Sequence, residues 1–465
     1  MKILRLKNGM MKKRMVYHPA LVRPKILTQK HQMLSNDIIT PPTKSFIKKN
    51  VIYITMYLTH AAHFRGTKKE YEIVKRLTKL SKNLYNFALY IERQFFFLNH
   101  GYLPFKRMYH EVKTNENFRL LPPQSARATT RMAEKAIKSF LRILGERKKG
   151  NYNRPVRLPQ YLPKDGHMVC VMPKEMLRKK GDKIRCTLGR RFQEKYGEMY
   201  LWLPLPKRIA DKEIKEIRLV PRYNATYFEV HYIYEDNQED VELELDYDQY
   251  LGIDLGLNNF ATCVDTSGTS FIIEGRGLKS YNRWWNKQKA KLQSQYDRQG
   301  IKTGKKMAWL LWKRKNVMNN YMNQAVAHII RHCIDNRIGN IVIGELKEIK
   351  QNINLGRRNN QNFSYIPFGI FKRKLRGKAE RYGIEIHEVD ERDTSKTCSV
   401  CGVKKDSNRK HRGLYVCNEC GSVLNADVNG AINIIRKVAP ESIRIGSSGD
   451  WSSPERCLIA SFGGN

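Results

Sequence analysis

Two cysteine pairs constrain this chain more than any other feature of its sequence. Cys398 and Cys401 are separated by two residues, Cys417 and Cys420 repeat that spacing after fifteen intervening residues, and a glycine follows each pair. Two such turns present four thiolates tetrahedrally to one Zn²⁺ ion, so the spacing predicts a zinc ribbon over 395–424. A site with four cysteine ligands is closed, and we therefore expect a structural zinc rather than a catalytic one.

Two disulfide bonds are the alternative use of these cysteines. The remaining cysteines of the chain are scattered without a spacing pattern, which fits a reducing compartment where disulfides are rare. His411 lies between the pairs and offers a substitute ligand, but a solvated histidine in a basic loop is the commoner situation. Zinc bound by the four cysteines is accordingly our prediction.

A large excess of positive charge narrows the expected partners. The 465 residues include 86 lysines and arginines against 44 acids, a formal net charge of +42. Such a chain repels itself unless a polyanion binds, and nucleic acid is the expected partner. A membrane surface is the weaker alternative, because no apolar run reaches the roughly 18 residues of a membrane helix and the N-terminus lacks a signal-peptide pattern. We predict a cytoplasmic, nucleoid-associated protein of a prokaryotic host.

The N-terminal half changes from strand to helix patterns and back. Residues 1–50 are basic, contain one acid, Asp37, and are interrupted by prolines, which predicts a flexible basic arm. A disordered leader, or a start codon placed too far upstream, is an equal alternative. A strand pattern at 51–66, helical periodicity over 67–160 and strand patterns in 161–245 follow. This order predicts a small β-barrel interrupted by a helical insertion.

The helix expected after Pro122 and Pro123 carries two stripes at helical spacing. The apolar stripe, predicted to be buried, consists of Ala126, Thr130, Ala133, Ile137, Leu141 and Leu144. The basic stripe consists of Arg127, Arg131, Lys135, Lys138 and Arg142. A basic stripe is usually a solvated face, but these five cations align in a helix with only Glu134 and Glu146 as acids. We predict that the basic stripe contacts nucleic-acid backbone.

Three carboxylates of the C-terminal half end or begin regular elements. Asp254 follows a buried strand that forms a hairpin with the next strand, Glu345 ends another apolar strand, and Asp427 precedes a helix. Singly, each has an ordinary structural interpretation, such as a turn or helix N-cap. In an α/β RNase H-like sheet these ends converge, and the repulsion between three carboxylates is offset by bound cations. Two Mg²⁺ ions roughly 3.5–4 Å apart are the usual solution.

Other residues near these motifs favour structural roles. Asp393 is expected to cap the turn into the zinc knuckle, and Asp265 lies at a hairpin end before Gly268. Neither of these acids nor Asp390 is expected to bind metal. Four tryptophans lie among many lysines and arginines, and we favour core packing over stacking on bases for them. They are Trp284, Trp285, Trp309 and Trp312.

The order of the C-terminal motifs resembles one known family. Gly-Ile-Asp-Leu-Gly, Gly-Glu-Leu, Thr-Ser-Lys-Thr-Cys-x-x-Cys-Gly, Cys-x-x-Cys-Gly and Asn-Ala-Asp-x-Asn-Gly-Ala-x-Asn-Ile occur in this sequence in that order. This looks like the RuvC domain of TnpB (OrfB) proteins of IS200/IS605-type insertion sequences, whose close relatives are the compact type V, Cas12-like CRISPR nucleases. The resemblance is strong over 246–437. Many family members have arginine before the third acid where this chain has Ala426, and the choice between TnpB and a CRISPR effector stays open.

The resemblance implies a multidomain α+β protein. An N-terminal β-barrel wedge domain (51–66 and 161–245) would carry a helical recognition insertion (67–160) after the basic arm (1–50). An RNase H-like RuvC α/β domain would follow, with an inserted zinc ribbon held by the four cysteines. Its expected boundaries are RuvC at 246–394, zinc ribbon at 395–424, final helix with the third acid at 425–438 and C-terminal tail at 439–465.

The same resemblance implies a function. Asp254, Glu345 and Asp427 would hold two catalytic Mg²⁺ ions, in addition to the structural Zn²⁺. The protein would be an RNA-guided DNA endonuclease that binds a guide RNA and cuts a double-stranded DNA target beside a short flanking motif. A tyrosine transposase of the same element is a possible partner. Two alternatives stay open. The first is a protein that does not cleave DNA, either a repressor that binds DNA with or without a guide RNA or a transposition accessory protein. The second is a transposase that itself joins DNA strands.

Overall fold

The computed structural model describes residues 44–48, 51–236, 243–345, 366–411, 413–442 and 453–459, with the backbone alone for 44–56. Contacts divide the chain into an N-terminal unit up to Glu239 and a C-terminal unit from Asp240. Most of the predicted basic arm and part of the predicted C-terminal tail lie outside the described residues.

The N-terminal unit alternates strands and helices in the predicted order. Its elements are β1 (Lys44–Lys48), β2 (Val51–His63), α1 (Lys68–Asn99), α2 (Phe105–Val112), α3 (Glu116–Leu120), α4 (Pro123–Lys148), β3 (Cys170–Pro173), β4 (Leu177–Lys180), β5 (Lys183–Thr187), α5 (Arg190–Tyr196), β6 (Tyr200–Pro204), β7 (Glu213–Arg222) and β8 (Tyr227–Asp236). Single 3₁₀ turns occur at Lys174–Met176 and Lys207–Ile209.

Two antiparallel sheets form the β part of this unit. One has the order β1-β2-β8-β7-β3, and the other has the order β4-β5-β6. Neither sheet closes on itself among the described strands, so the predicted closed barrel is not found there. Sequence patterns had indicated the strands, but barrel closure depends on which edges pair, and the pattern of single strands carries no such information.

Local sequence explains the two long helices of this unit. Thr67 caps α1, and its side chain and that of Glu70 form a capping box with each other's backbone N–H groups. Pro123 lies in the first turn of α4, where its missing N–H costs no hydrogen bond. The predicted apolar stripe of α4 is buried from Ala126 to Ile137 and partly buried at its C-terminal end. Both helices pack in the core with the strands of the larger sheet.

Glu92 is a buried carboxylate in this helical layer. It is fully buried on α1, and its Oε2 accepts a hydrogen bond from the backbone N–H of Leu103 at 2.9 Å. Burial raises the pKa of Glu92 to about 7, and the nearby Glu134 carboxylate raises it further while the Leu103 N–H opposes the shift. The protonated form of Glu92 is therefore the form that this fold accommodates.

We expect Glu92→Gln to stabilise the protein above neutral pH. Because the folded pKa lies above the value in the unfolded chain, the contribution of Glu92 to stability is fully present below about pH 4.5 and is lost as the pH rises through about 7. Glutamine keeps an acceptor for Leu103 without ionising, so the variant should gain up to about 3 kcal/mol at pH 8 and little at pH 5. Urea unfolding at both pH values measures this. An exposed α2 control, Glu111→Gln, should show no such pH-dependent gain, and equal gains in both variants would contradict the prediction.

The C-terminal unit is an α/β domain with a small ribbon. Its elements are β9 (Asp246–Leu255), β10 (Asn259–Asp265), β11 (Ser270–Glu274), α6 (Arg276–Arg298), α7 (Lys305–Asp335), β12 (Ile338–Glu345), α8 (Phe368–Arg381), β13 (Glu385–Asp390), β14 (Arg409–His411), β15 (Leu414–Val416), β16 (Val423–Leu424), α9 (Ala426–Arg436) and β17 (Glu455–Cys457). A 3₁₀ turn spans Asp406–Asn408.

A mixed sheet with the order β13-β12-β9-β10-β11-β17 organises this unit. Strands β9 and β10 form the predicted antiparallel hairpin, whereas β12 runs parallel to both β9 and β13. A separate sheet of β14, β15 and β16 lies within the predicted zinc ribbon. Parallel β12 and β9 direct their C-terminal ends to the same edge of the sheet, which is where Glu345 and Asp254 lie.

Helices cover both faces of the mixed sheet. Leu251 and Ile253 of β9 join a core that also contains residues of α7 and α8. Alternation along the strand then turns Gly252 and Asp254 to the other face, where α9 packs. Gly252 permits this close packing, because a Cβ there would lie 2.4 Å from the carbonyl oxygen of Ala431. Within the described part of the chain, no helix has the length and apolar character needed to cross a membrane.

Candidate active site and cysteine cluster

Asp254 lies at the C-terminal end of β9, partly buried beneath α9. Its carboxylate approaches that helix closely, since a Cβ added to Gly430 would be 3.0 Å from Oδ2 of Asp254. Burial raises the pKa of Asp254 well above its usual value, and the charges of Glu391 and Asp427 raise it further, while Arg409 opposes them. An acid whose pKa is raised by neighbouring acids in this way lies in a site that favours a bound cation.

The sequence indicated that Asp427 precedes a helix, whereas in the structure it lies in the first turn of α9. Asn425 caps the helix, with its side-chain oxygen accepting from the backbone N–H groups of Asp427 at 3.0 Å and Val428 at 3.3 Å. The Asp427 carboxylate is thereby left for other contacts. Asn259 donates to its Oδ2 at 2.6 Å, and Arg409 lies 3.4 Å from its Oδ1. Asp427 is therefore held between the β10 strand and the ribbon.

Glu345 is the last residue of β12, at the strand end adjacent to that of Asp254. Its backbone pairs with Asp390 of the neighbouring β13, and its charge acts on the Lys372 ammonium of α8. The structure thus brings Asp254 and Asp427 into electrostatic contact and puts Glu345 on the adjoining strand end. Of the described residues, only the four cysteines considered below form a group of metal ligands whose atoms all lie within 4.8 Å of one another.

Two charged residues at this edge were missed by the sequence analysis. Glu391 directly follows β13, and its charge acts on Asp254 more strongly than that of Asp427. Arg409 begins β14 and contacts Asp427. A signal for Glu391 was present, because it follows an apolar-patterned strand as Asp254 does. Arg409 gave no such signal, since it is one of several cations in a basic loop and its partner depends on how the ribbon folds.

The three other acids considered from the sequence have structural contacts. Asp265 accepts from Ser267 Oγ at 2.6 Å and from the backbone N–H of Thr269 at 2.9 Å, and it contacts His332 at 2.8 Å. These partners hold the pKa of Asp265 below its usual value despite burial. Asp390 accepts from the backbone N–H of Arg392, and the side chain of Asp393 pairs with Lys404 at 2.6 Å.

The four predicted zinc ligands form a compact cluster. The Sγ atoms of Cys398 and Cys420 are 3.7 Å apart, those of Cys401 and Cys417 are 3.6 Å apart, and none is in a disulfide. Four sulfurs placed tetrahedrally about 2.3 Å from a zinc ion would be about 3.8 Å from one another. The observed spacing therefore fits a zinc ion and is far too long for a disulfide bond.

Hydrogen bonds join the cluster to its surroundings. The backbone N–H of Val400 donates to Cys398 Sγ at 3.4 Å, and Asn408 Nδ2 donates to Cys417 Sγ at 3.6 Å. Donors of this kind favour the thiolate form that binds metal. Cys398 and Cys417 are buried, whereas Cys401 and Cys420 are exposed.

Two asparagines of α9 connect that helix to the first cysteine turn. Asn429 accepts from the backbone N–H of Ser399 at 2.8 Å and donates to the carbonyl of Thr397 at 2.8 Å. One helical turn later, Asn433 donates to the carbonyls of Thr394 at 2.9 Å and Thr397 at 2.7 Å. The spacing of these asparagines in the motif thus has a structural reason, because both face the turn that carries Cys398 and Cys401.

The basic stripe of α4 is exposed at all five positions. Aromatic side chains of residues 102–109 support three of them. The guanidinium of Arg127 lies 5.5 Å from the Tyr109 ring centroid, that of Arg131 lies 4.4 Å from Phe105, and the ammonium of Lys138 lies 4.3 Å from Tyr102. Lys138 also pairs with Glu134 at 2.9 Å. The stripe is thus a solvent-facing cationic surface with part of its cations held in place.

The tryptophans divide between core and surface. Trp285 is buried, and its indole N–H donates to the carbonyl of Leu310 at 3.1 Å, as expected for core packing. Trp284 and Trp309 are 40% and 48% exposed, which differs from that expectation. The Lys313 ammonium lies over both exposed rings, at 5.7 and 5.2 Å from their centroids.

Family models match two segments of the chain, which lie in the C-terminal unit except for the first few residues of the first segment. The OrfB_IS605 model, described as "Probable transposase", matches residues 231–350, and the Cas12f1-like TNB domain model matches residues 368–434. The first segment contains Asp254 and Glu345, and the second contains the four cysteines and Asp427. The resemblance to TnpB and Cas12f proteins is confirmed.

Similar proteins include TnpB-like and Cas12f1 sequences. The TnpB-like protein ORF457 of Acidianus two-tailed virus is 30% identical over 195 residues, covering 40% of this chain and 41% of that protein. The CRISPR-associated endodeoxyribonuclease Cas12f1 of Sulfoacidibacillus thermotolerans is 27% identical over 239 residues, covering 48% of this chain and 54% of the relative. This chain therefore matches about half the length of these relatives.

A solved structure shares the α+β fold. It is that of a Cas12f1–sgRNA–target DNA complex, with a TM-score of 0.55 and 18% identity over 79% of this chain and 83% of the other. Because the sequence identity is only 18%, this similarity shows that the two chains share a fold.

Proposed function

We propose that the protein is an RNA-guided DNA endonuclease whose active site contains Asp254, Glu345 and Asp427. The observation that supports the proposal is the close approach of Asp254 to α9, together with the charge of Asp427 on that helix, which raises the pKa of Asp254. A buried acid whose pKa is raised by other acids is unusual in a chain of net charge +42. The similarity to TnpB-like and Cas12f1 proteins supports the same reaction.

The donor set fits divalent magnesium. Carboxylate oxygens are the protein ligands that Mg²⁺ prefers, and Asp254, Asp427 and Glu345 provide them from two adjacent strand ends and one helix. The chemistry that bound Mg²⁺ supplies is activation of water for in-line attack on a phosphodiester and stabilisation of the leaving 3′-oxygen. Asn259 orients the Asp427 carboxylate through a hydrogen bond. Arg409 supplies positive charge beside Asp427, and this charge would also attract the negatively charged phosphate of a substrate.

In this proposal, the four cysteines hold a structural Zn²⁺. Their spacing fits a closed tetrahedral site, and the asparagine contacts of α9 connect that site to the helix carrying Asp427. The guide RNA reads the target by base pairing, and the protein contributes backbone contacts and recognition of a short flanking motif. We also propose a tyrosine transposase of the same element as a partner. The chain itself would comprise the wedge, recognition and RuvC domains with the boundaries predicted from the sequence.

The deciding experiment is a cleavage assay with the native RNA. The full chain is purified with the RNA that accompanies it, and double-stranded targets with randomised flanks are offered with Mg²⁺ or EDTA. Mg²⁺-dependent double-strand cutting at guide-matched sites is expected. Guide-dependent footprints without cleavage would instead support the repressor, and strand joining with a covalent tyrosine–DNA product would support a transposase.

We expect the basic stripe of α4 to contribute to nucleic-acid affinity. Replacing Arg127 and Lys135 with glutamine removes two exposed cations, which should weaken RNA binding and lower the slope of log K against log salt by roughly 1.4 to 1.8. Filter binding across a salt series measures both. The matched control replaces Lys180 and Lys183, which are exposed at the β4–β5 turn, with glutamine. Equal losses in both double variants would mean that net charge matters and the stripe does not.

A further inference from the structure

Glu391 is a carboxylate whose burial is poorly compensated by its protein neighbours. It directly follows β13, and its Oε1 is buried without a hydrogen-bond partner among the described residues. Burial raises the pKa of Glu391 to about 7, Lys372 opposes this rise, and Asp390 adds to it. A buried carboxylate oxygen that accepts no hydrogen bond is costly unless something else binds it.

A glycine makes room for this carboxylate. A Cβ added to Gly344 would lie 1.9 Å from Oε1 and 2.4 Å from Cδ of Glu391, far inside van der Waals contact. The Glu391 carboxyl group therefore occupies the space that a side chain at residue 344 would fill. Because Gly344 immediately precedes Glu345, the carboxyl group of Glu391 reaches the same strand end as the predicted ligand.

Strand pairing puts this carboxylate on the same face as Asp254. Gly252 of β9 pairs with Val342 of β12, and side chains of paired residues in a sheet share a face. Two residues further along each strand, Asp254 and Gly344 are on that face as well. Glu345, one residue later, is the last residue of β12, so strand alternation no longer fixes the direction of its side chain, whose charge acts on Lys372 of α8.

Lys372 does not provide Glu391 with an ion pair. Its ammonium donates to the carbonyl of Gly344, and among the described ion pairs it contacts Glu388 at 3.6 Å rather than Glu391. Glu388 is also paired with Arg376, so the charges of this neighbouring acid are already matched. Glu391 adds negative charge near Asp254 and thereby raises the pKa of the Asp254 carboxyl group.

We propose that Glu391 supplies a further carboxylate ligand to the divalent-cation pocket around Asp254. The inference rests on the proposed function, because the pocket is the one assigned above to Mg²⁺. It assigns a ligand on β13's C-terminal end in addition to those on β9, β12 and α9. Gly344 is then a positioning residue, whose missing side chain admits the carboxylate.

The test measures cation binding directly, without nucleic acid or cleavage. Mn²⁺ replaces Mg²⁺, and electron paramagnetic resonance reports the free ion during titration of the full-length, zinc-loaded chain. Glu391→Gln should weaken Mn²⁺ binding at least 10-fold, and Glu391→Asp should restore part of the loss, since it keeps the charge. The matched control, Glu388→Gln, removes a carboxylate from the same segment and should stay within 2-fold of the wild type.

Each outcome has a definite meaning. Wild-type affinity in Glu391→Gln, together with lost binding in Asp254→Asn, would overturn the assignment of Glu391. So would an equal loss in Glu388→Gln, because segment charge would then explain the effect. Absence of Mn²⁺ binding by the wild type would overturn the pocket and this inference with it. A wild type that binds Mn²⁺ through Glu391 but cuts no DNA would overturn the proposed function alone.

A melting experiment separates metal binding from a purely structural role. Without divalent cations, Glu391→Gln should melt at or above the wild-type temperature, since it removes a poorly compensated buried charge. With Mn²⁺, the wild type should gain more stability than the variant, because the stabilisation by a ligand grows with its affinity for the folded state and the variant binds Mn²⁺ more weakly. A variant that melts below the wild type by the same amount with and without Mn²⁺ would identify Glu391 as structural and overturn the inference.

Discussion

Asp254→Asn should abolish DNA cleavage while leaving guide RNA and target binding intact. Asparagine has nearly the same shape but cannot carry the negative charge that a divalent cation requires. Loss of outer partners of metal sites typically costs 10- to 100-fold, so loss of a ligand should lower the cleavage rate by more than about 100-fold. Single-turnover cleavage and gel-shift binding with the same RNA-loaded preparation provide the measurement.

The same substitution should make the metal-free protein more stable. Burial and two nearby acids raise the folded-state pKa of Asp254, so its ionisation opposes folding, and this penalty grows as the pH rises. Asp254→Asn removes the penalty, and its melting temperature in magnesium-free buffer at pH 8, with the zinc retained, should exceed that of the wild type. Asp248→Asn, at an exposed position of the same strand, is the matched control and should cleave normally. Cleavage by Asp254→Asn near the wild-type rate would contradict the assigned site.

Cys398→Ser should abolish zinc binding and unfold the ribbon. Zinc bound by four thiolates contributes about 10–16 kcal/mol in small zinc-binding peptides at neutral pH, and the small β14-β15-β16 sheet has little core of its own. Native mass spectrometry should find one zinc per wild-type chain and none in the variant. Proteolysis should then begin within 395–424, and strong chelators should reproduce this in the wild type.

Cys457→Ser is the matched control for this experiment. Cys457 is a partly exposed free cysteine of β17, outside the cluster. This variant should keep one zinc and the wild-type proteolysis pattern. A wild-type chain that contains no zinc and four freely reactive thiols would contradict the prediction, as would zinc retention by Cys398→Ser with normal affinity.

Local sequence signals predicted the elements that depend on local physics. The helical period before residue 99 and the prolines at residues 122 and 123 gave helix positions close to Lys68–Asn99 and Pro123–Lys148. The β9–β10 hairpin was predicted correctly, because the turn-forming residues Asn258 and Asn259 separate the two strand patterns and turn chemistry is local. Cysteine spacing predicted the cluster for the same reason, since each pair lies within one turn.

Features that depend on pairing between distant segments were harder to predict. The Glu391 carboxyl group lies against Gly344 of β12, the strand between β9 and β13, and from there its charge acts on Asp254. Asn425 and Asp427 are both good N-cap residues, and the sequence does not show which one the helix uses. Closure of the N-terminal sheet likewise depends on edge pairing, and the described strands leave that sheet open.

The hydrogen bonds between the asparagines Asn429 and Asn433 and the segment of the first cysteine turn connect the two proposed metal sites. Asp427 lies two residues before Asn429 on the same helix, so a ribbon that loses its zinc withdraws the support of the segment bearing this acid. Zinc starvation of the host should therefore silence DNA cutting even when magnesium is plentiful. A nuclease arranged in this way would depend on two different metals at once, and its activity in a cell would follow the scarcer of the two.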